Sequence, residues 1–142
     1  MEQALYQAAI LTFEELGFIF PIERPSDDEC ENEESTRVSV KFNGSVSGEI
    51  VLQVENTILP TIASNMLGTE EPLEDEEILQ DVLGELANVI CGNTLPSIAG
   101  KNEVFRLEPP RKINKLEAGE KPAAIAHLDV EESRADVLLY LN

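Results

Sequence analysis

The recurrence of apolar residues at every second position in two neighbouring segments is the feature that most constrains the fold of this chain. Apolar side chains occupy every second position over residues 38–42 and again over 50–54. A period of two is that of a β-strand with one buried face. Asn43-Gly44 follows the first segment and is the strongest two-residue hairpin signal. The sequence therefore predicts an antiparallel hairpin within a larger sheet.

Helical periodicity appears on both sides of this hairpin. Residues 2–16 carry apolar side chains at helical spacing and end at Gly17, and residues 57–67 do the same before Gly68. Asn56 is the expected N-cap of the second helix, because a short polar side chain can accept hydrogen bonds from the first free backbone amides. Two amphipathic helices are thus predicted, one before and one after the hairpin.

A third and longer helix is predicted from about Glu76 to Leu95. Its N-terminus follows a run of carboxylates, which stabilise the positive end of a helix dipole. Pro96 interrupts the helical pattern because proline has no backbone N–H, and whether helical structure continues to Ala99 stays open.

Four further segments have the composition of short strands. They are residues 18–22, 103–107, 123–129 and 135–141. The basic segment 111–121 is expected to be an exposed turn. Because strands and helices do not alternate in βαβ units, the order of elements predicts an α+β fold, a largely antiparallel β-sheet packed with α-helices.

Composition limits the size and the partners of such a fold. A chain of 142 residues with 42% hydrophobic content can bury one core, so residues 1–142 are expected to form a single domain. The formal net charge of -18 repels phosphate backbones and anionic lipid surfaces, which argues against nucleic acid and membrane partners. The N-terminus lacks the basic region of a signal peptide and no long apolar run is present, so a cytoplasmic protein is expected.

Residues 23–36 contain seven acidic groups and almost no apolar side chain. Such a segment cannot bury enough surface to order itself, and a mobile acidic loop is expected there. A divalent-cation site is the alternative, although the Asp-x-Asp-x-Asp-Gly spacing of a calcium loop is absent. Cys30 and Cys91 share no metal-ligand spacing, and the single histidine, His127, is expected to be structural or at the surface.

The long helix carries an unusual polar stripe. Asp81, Glu85, Asn88 and Gly92 are spaced by four, three and four residues, which at about 100° per residue places them on one helix face. Gly84 borders the same stripe. Because a glycine inside a helix costs about 1 kcal/mol relative to alanine, two glycines beside one polar row suggest that something approaches the backbone closely there.

Glu85 and Asn88 are the residues of this stripe that could support chemistry. A carboxylate can hold a cation such as a partner's lysine, and a carboxamide can bind and orient a water molecule. Phosphoryl transfer needs mainly positioning and charge neutralisation, so one oriented water suffices if another protein supplies the phosphate and the metal. The common signatures of serine hydrolases and zinc enzymes are absent from the sequence. From spacing alone, a polar helix face without chemistry is the alternative.

The segment LGELANVICGN, which follows Asp81 and precedes a strand and a proline pair, resembles the CheC/CheX/FliY family of chemotaxis phosphatases. The family signature is Asp or Ser, then Glu, then Asn, with a proline further downstream. Asp81, Glu85 and Asn88 stand in that register in this chain. The resemblance covers most of the sequence and is best over residues 37–110.

This resemblance implies an enzyme that hydrolyses the aspartyl phosphate of a CheY-like response regulator. Asn88 would then orient the attacking water, and Glu85 would meet the regulator's lysine. Asp81, Gly84 and Gly92 would contribute to partner binding. The Mg²⁺ would belong to the phosphorylated regulator, so the chain would need no cofactor of its own. A non-catalytic module that binds a response regulator or another signalling protein through the same face is the alternative.

The resemblance also bears on assembly. Proteins of the CheC type carry a second Glu-x-x-Asn motif in the first helix, whereas residues 13–17 at the end of that helix contain no asparagine. One site per chain is the CheX-like arrangement. It implies a CheC-like fold and a homodimer formed through paired sheet edges, with no additional domain of the FliY kind.

Overall fold

The described part of the chain contains three helices and one antiparallel sheet. The computed structural model describes residues 2–23, 34–100, 102–113 and 121–142. The helices are α1 (Glu2–Gly17), α2 (Leu59–Leu67) and α3 (Glu76–Ala99). The strands are β1 (Ile22–Glu23), β2 (Ser35–Asn43), β3 (Gly48–Glu55), β4 (Arg106–Leu107), β5 (Arg111–Ile113), β6 (Ala124–Val130) and β7 (Ser133–Leu141). The α+β fold predicted from the order of elements is confirmed.

The sheet has the order β1-β6-β7-β3-β2, with two short strands completing its far edge. Every described pairing is antiparallel. β4 pairs with the end of β2 at Phe42 and Asn43, and β5 pairs with β2 at residues 37–39. β2 therefore holds both short strands along one side and its hairpin partner β3 along the other.

The apolar residues at every second position of β2 and β3 decide which face of the sheet packs against the helices. Val38, Val40 and Phe42 of β2, with Ile50 and Leu52 of β3, are buried in one hydrophobic core. Burying each side chain of this kind stabilises the fold by about 1.5–3 kcal/mol. α1 and α3 pack on this inner face, α1 against β6 and α3 against β2. The β2 edge of the sheet thus supports the helix that carries the polar stripe.

The predicted hairpin is present, but the expected two-residue turn is wrong. Phe42 pairs with Gly48, so residues 44–47 form a longer connection. A Cβ atom on Gly44 would lie 2.5 Å from the ring of Phe105, far inside van der Waals contact. Gly44 is therefore needed for the close approach of Phe105, a long-range contact that a local turn pattern cannot show.

The predicted strand over residues 18–22 is mostly wrong. Of this segment, only Ile22 pairs with the sheet, through β6. Phe18 adopts a left-handed backbone conformation with φ 51°, which redirects the chain after α1. Ile19 then points into the core while Phe20 is exposed, so the apolar run is divided between interior and surface.

The two segments that flank the proline pair also differ from expectation. Of residues 103–107, only the last two form a strand, β4. The basic segment 111–121 begins with β5 rather than with an exposed turn, and residues 114–120 lie outside the described part of the chain. Both short strands form because the free edge of β2 supplies backbone partners, and that edge is far away in sequence.

The last two predicted strands are confirmed as β6 and β7, and they form a hairpin. His127 on β6 is buried, and its ring Nδ1 lies 2.7 Å from Oδ1 of the buried Asp136 on β7. This pair joins two central strands, as expected of a histidine with a structural role.

The predicted cap of α2 is wrong. α2 begins after Ile58, which makes no side-chain capping bond. The hydroxyl of Thr36 donates instead to the carboxamide oxygen of Asn56 at 2.6 Å, so Asn56 binds to β2 and not to the helix. Gly68 ends α2 with φ 70°, as its position in the sequence predicted.

The long helix α3 is capped at its start and continues through its proline. The carboxylate of Asp75 accepts hydrogen bonds from the backbone amides of Glu77 and Ile78. Helical structure continues past Pro96 for three further residues, which settles the point that the sequence left open. Pro96 removes the backbone bond to Gly92, and because Gly92 is exposed, water can take the place of that bond.

Most of the acidic segment 23–36 lies outside the described residues, which include only residue 23 and residues 34–36 of this segment. The expected mobile loop, its cation-site alternative and the environment of Cys30 therefore stay predictions. Cys91 is described and is buried in α3. Among the described residues, no helix is both long enough and apolar enough to cross a membrane.

Candidate functional site

The polar stripe lies on the outer side of α3. Asp81, Glu85 and Gly92 are exposed, and Asn88 is half-buried. The other side of the helix is buried in the hydrophobic core through Val82, Leu83, Leu86, Ala87, Ile90 and Cys91. The buried side of α3 therefore fixes the helix against the core, and the polar stripe lies on the exposed side of a rigid helix.

A groove of about 270 Å³ separates the stripe from the edge of the sheet. Residues of α3 line one side and residues of the β2 and β5 edge line the other: Gln80, Asp81, Gly84, Glu85, Asn88, Val38, Pro110 and Lys112. The fold thus brings four of the five predicted site residues to one groove. Gly92 lies one turn further along α3 and does not line it.

The two glycines of the stripe have different surroundings. A Cβ atom on Gly84 would lie 3.0 Å from Cβ and 3.2 Å from Cγ of Pro110, so Gly84 lets this chain's own proline rest on the helix. Gly84 is buried as a result. A Cβ atom on Gly92 would meet nothing within 4 Å. The partner-binding roles expected of both glycines stay predictions, and open space for an approaching molecule exists at Gly92.

The side chains of Glu85 and Asn88 make no hydrogen bond or ion pair within the described residues. The neighbouring Asn93 differs, because its side-chain amide donates to the Thr12 hydroxyl at 3.2 Å and links α3 to α1. An amide or carboxylate that supports the fold usually has such a partner. The two side chains at the groove are therefore available to an external group.

Lys112 is a groove residue that sequence reasoning missed. It lies on β5 directly opposite Val38, whose side chain faces the core beneath α3. Since residues opposite each other in an antiparallel pair point to the same side of a sheet, Lys112 also lies on the helix side. A strand of three residues is too short to show an alternating pattern in the sequence, so the orientation of Lys112 could not be predicted.

The chemistry available in the groove is limited to binding and orientation. It offers two carboxylates, two carboxamides and one ammonium group, and the described residues contain no cluster of three or more potential metal ligands. Burial raises the pKa of the Cys91 thiol from 9.0 to about 12, and this thiol faces the core, so it is not a nucleophile for the groove.

Comparison with protein families decides the family of this chain. The model of the family described as chemotaxis phosphatase CheX matches residues 37–126. The chain belongs to the CheX family. The matched part contains the whole of α3 and reaches through β5 into β6, so the groove falls within the region that defines CheX. A comparison with curated proteins gave no significant match.

Solved structures show the same fold. A chain of the CheX-CheY-BeF3-Mg²⁺ complex from Borrelia burgdorferi superposes with a TM-score of 0.73 at 21% identity, over 99% of this chain and 96% of that one. CheX from Vibrio vulnificus gives a TM-score of 0.77 at 14% identity, over 99% and 95% of the two chains. FliY from Thermotoga maritima gives 0.58 at 16% identity, over 96% and 84%. At such identities the likeness concerns the fold, which is CheC-like.

Proposed function

We propose that this CheX-family protein hydrolyses the aspartyl phosphate of a CheY-like response regulator. One observation carries the proposal. Glu85 and Asn88 lie side by side on the outer face of a supported helix, at a groove, without a partner among the described residues. Such a pair can act only on a group that another molecule brings. The phosphatase description of the matched family supports the reaction class.

In the proposed reaction, Asn88 places the attacking water. Its carboxamide has a donor and an acceptor, so it can hold one water molecule in one orientation. The water oxygen attacks the phosphorus atom in line with the bond to the aspartyl oxygen, and that bond breaks. Inorganic phosphate and the free carboxylate are the products, and the water's surplus proton passes to solvent. Positioning of this kind can account for most of the acceleration of a phosphoryl transfer.

Glu85 seats the regulator in this proposal. Its exposed carboxylate can form a charge-assisted contact with the regulator's lysine. Asp81, on the preceding turn, and Gly92, on the following one, would extend the contact along α3. The Mg²⁺ ion would come with the regulator, and the presence of CheY, BeF3 and Mg²⁺ in the Borrelia burgdorferi complex supports this assignment.

The test is the rate of phosphate release from a phosphorylated regulator of the same host. Wild-type protein is expected to accelerate release, and Asn88→Ala should lower that acceleration about 100-fold because the water loses its orientation. Glu85→Gln should mainly raise KM, since it weakens docking. Glu15→Gln is the matched control, because Glu15 is an exposed carboxylate of α1 that does not line the groove.

Two outcomes would contradict the proposal. If Asn88→Ala retains the wild-type acceleration, the role of Asn88 is wrong. If wild-type protein binds a regulator through Glu85 yet accelerates release from none, the protein is the non-catalytic binding module that the sequence left as the alternative.

A further inference from the structure

Lys112 is an exposed lysine on the helix-facing side of the sheet edge. On the same side, the neighbouring strand β2 carries the core residues Val38 and Val40. The two neighbours of Lys112 on β5, Arg111 and Ile113, lie opposite Ser39 and Arg37 and therefore on the other face of the sheet. Of the two basic residues of β5, only Lys112 is directed toward α3.

Lys112 also stands between two groups of carboxylates. It lines the groove that contains Asp81 and Glu85, and it lines an adjoining groove of about 300 Å³ that contains Glu74 and Glu76. No other cation lines either groove within the described residues. The side chain of Lys112 makes no hydrogen bond or ion pair in the described part of the chain, so its ammonium group is not bound to any of these carboxylates.

The negative charge of this protein opposes the approach of a phosphoryl group. The chain carries 28 acidic against 10 basic residues, and its groove presents two carboxylates, so a phosphoryl group that approaches Asn88 meets a negative surface. An ammonium group beside the same groove offsets this repulsion for the phosphoryl oxygens. An unphosphorylated regulator brings no phosphoryl oxygens for this ammonium group to contact.

We propose that Lys112 is a specificity residue that makes the groove bind the phosphorylated form of the regulator in preference to the unphosphorylated form. This inference rests on the proposed function, because it assumes that the phosphoryl group enters the groove beside Asn88. Lys112 acts on recognition of the phosphoryl charge, while the water is oriented by Asn88 and the regulator's lysine is held by Glu85.

The experiment measures two dissociation constants for each variant, one for the regulator with Mg²⁺ alone and one for the regulator with beryllofluoride and Mg²⁺. Lys112→Gln is expected to reduce the preference for the beryllofluoride form about tenfold and to leave binding of the other form unchanged. Lys112→Arg should restore the preference, because it returns the positive charge. Arg111→Gln removes the adjacent cation on the opposite face and should change the preference less than about twofold.

The outcomes separate this inference from the proposed function. If Lys112→Gln and Arg111→Gln behave alike, or if Lys112→Gln weakens both forms equally, the specificity role is wrong, whether or not the wild type releases phosphate. If the wild type shows the preference and loses it in Lys112→Gln but releases no phosphate, the specificity role holds and the phosphatase proposal fails. If the wild type shows no preference at all, the inference fails.

Discussion

Gly92 and Gly84 show how two glycines of one helix can serve different purposes. Gly92→Ala is expected to raise the free energy of unfolding by about 1 kcal/mol, because the added methyl group meets open space and alanine favours the helix. Gly84→Ala is expected to lower it by about 1 kcal/mol, because the methyl group would press on Pro110. Urea denaturation measures both changes.

The same Gly92 variant tests the partner-binding prediction. If a regulator approaches the helix there, Gly92→Ala should weaken its binding while stabilising the protein. Ser97→Ala, an exposed small-residue change in the last turns of α3, is the control. Unchanged affinity in Gly92→Ala would remove Gly92 from the binding surface.

Cys91 is expected to be inert in the folded protein. Its thiol is buried with a pKa raised to about 12 by desolvation, so it stays protonated at neutral pH. In a Cys30→Ser background, a thiol reagent at pH 8 should label Cys91 only after addition of denaturant. Labelling of the native protein at the rate of a free thiol would contradict the buried position.

The raised pKa also has a consequence for stability. Above pH 9.0, the thiol ionises in the unfolded chain but not in the folded one until about pH 12, so the folded state holds the extra proton. Stability contributed by this group is therefore complete below that window and falls as pH rises through it. The Cys30→Ser protein should therefore lose more free energy of unfolding between pH 7 and pH values above 9.0 than the double variant that also carries Cys91→Ala. Denaturant unfolding at each pH measures this difference.

At the level of elements, the β6-β7 hairpin is closed by an unfavourable turn. Glu131 and Glu132 both have left-handed backbone angles, with φ 50° and 70°, where an L residue costs about 1–2 kcal/mol. The side chain of Asp129 accepts from the Glu132 amide at 2.8 Å and helps to hold this conformation. The sequence EES carries none of the Asn-Gly chemistry that usually marks such a turn.

Replacing both turn residues should stabilise the hairpin. Glu131→Asn with Glu132→Gly is expected to raise the free energy of unfolding by about 1 kcal/mol, because both new residues tolerate positive φ. Glu131→Gln with Glu132→Gln is the control, since it removes the two charges but keeps the strained backbone. Equal stabilisation by the two double variants would attribute the effect to charge and not to backbone conformation.

A polar row across the outer face of the sheet is a second element-level feature. Arg37, Gln53, Asp136 and His127 are cross-strand neighbours on β2, β3, β7 and β6. The Arg37 Nε donates to Gln53, Gln53 donates to Asp136, and the His127 ring joins the other carboxylate oxygen. The row connects four strands on the side away from the helices, so His127 belongs to the sheet and not to the groove.

At the scale of the whole molecule, the predicted homodimer stays a proposal, and the β1 edge is where we place it. β1 pairs on one side with β6, and Phe20 and Ile22 at this edge are 77% and 65% exposed. Exposed apolar residues at a sheet edge favour pairing with another strand.

The charge of the molecule provides the test. Two copies with a net charge of -18 each repel one another, so sedimentation equilibrium should show tighter dimerisation at higher salt. Phe20→Ser should weaken the dimer, whereas Leu67→Ser, at an exposed position at the end of α2, should not. A monomer at all salt concentrations, or equal effects of both substitutions, would contradict dimerisation through this edge.

The sequence by itself determined the features that depend on local periodicity. The apolar residues at every second position of β2 and β3 specified a hairpin and the face that packs against the helices, because successive side chains of a strand point to opposite sides. The spacing of Asp81, Glu85 and Asn88 specified one face of α3, because a helix repeats every 3.6 residues. Most of the candidate site was therefore predictable before the fold was known.

Only the tertiary structure decided what lies opposite that face. Pro110 contacts Gly84 and Phe105 contacts Gly44, although the two residues of each pair are widely separated in sequence. Lys112 likewise reaches the groove from a strand that is distant in sequence from Asp81 and Glu85. The free edge of β2 makes strands of segments too short to have a period of their own. Local patterns record how a segment folds, but contacts between distant segments depend on which backbone edge and which packing space the rest of the chain leaves available.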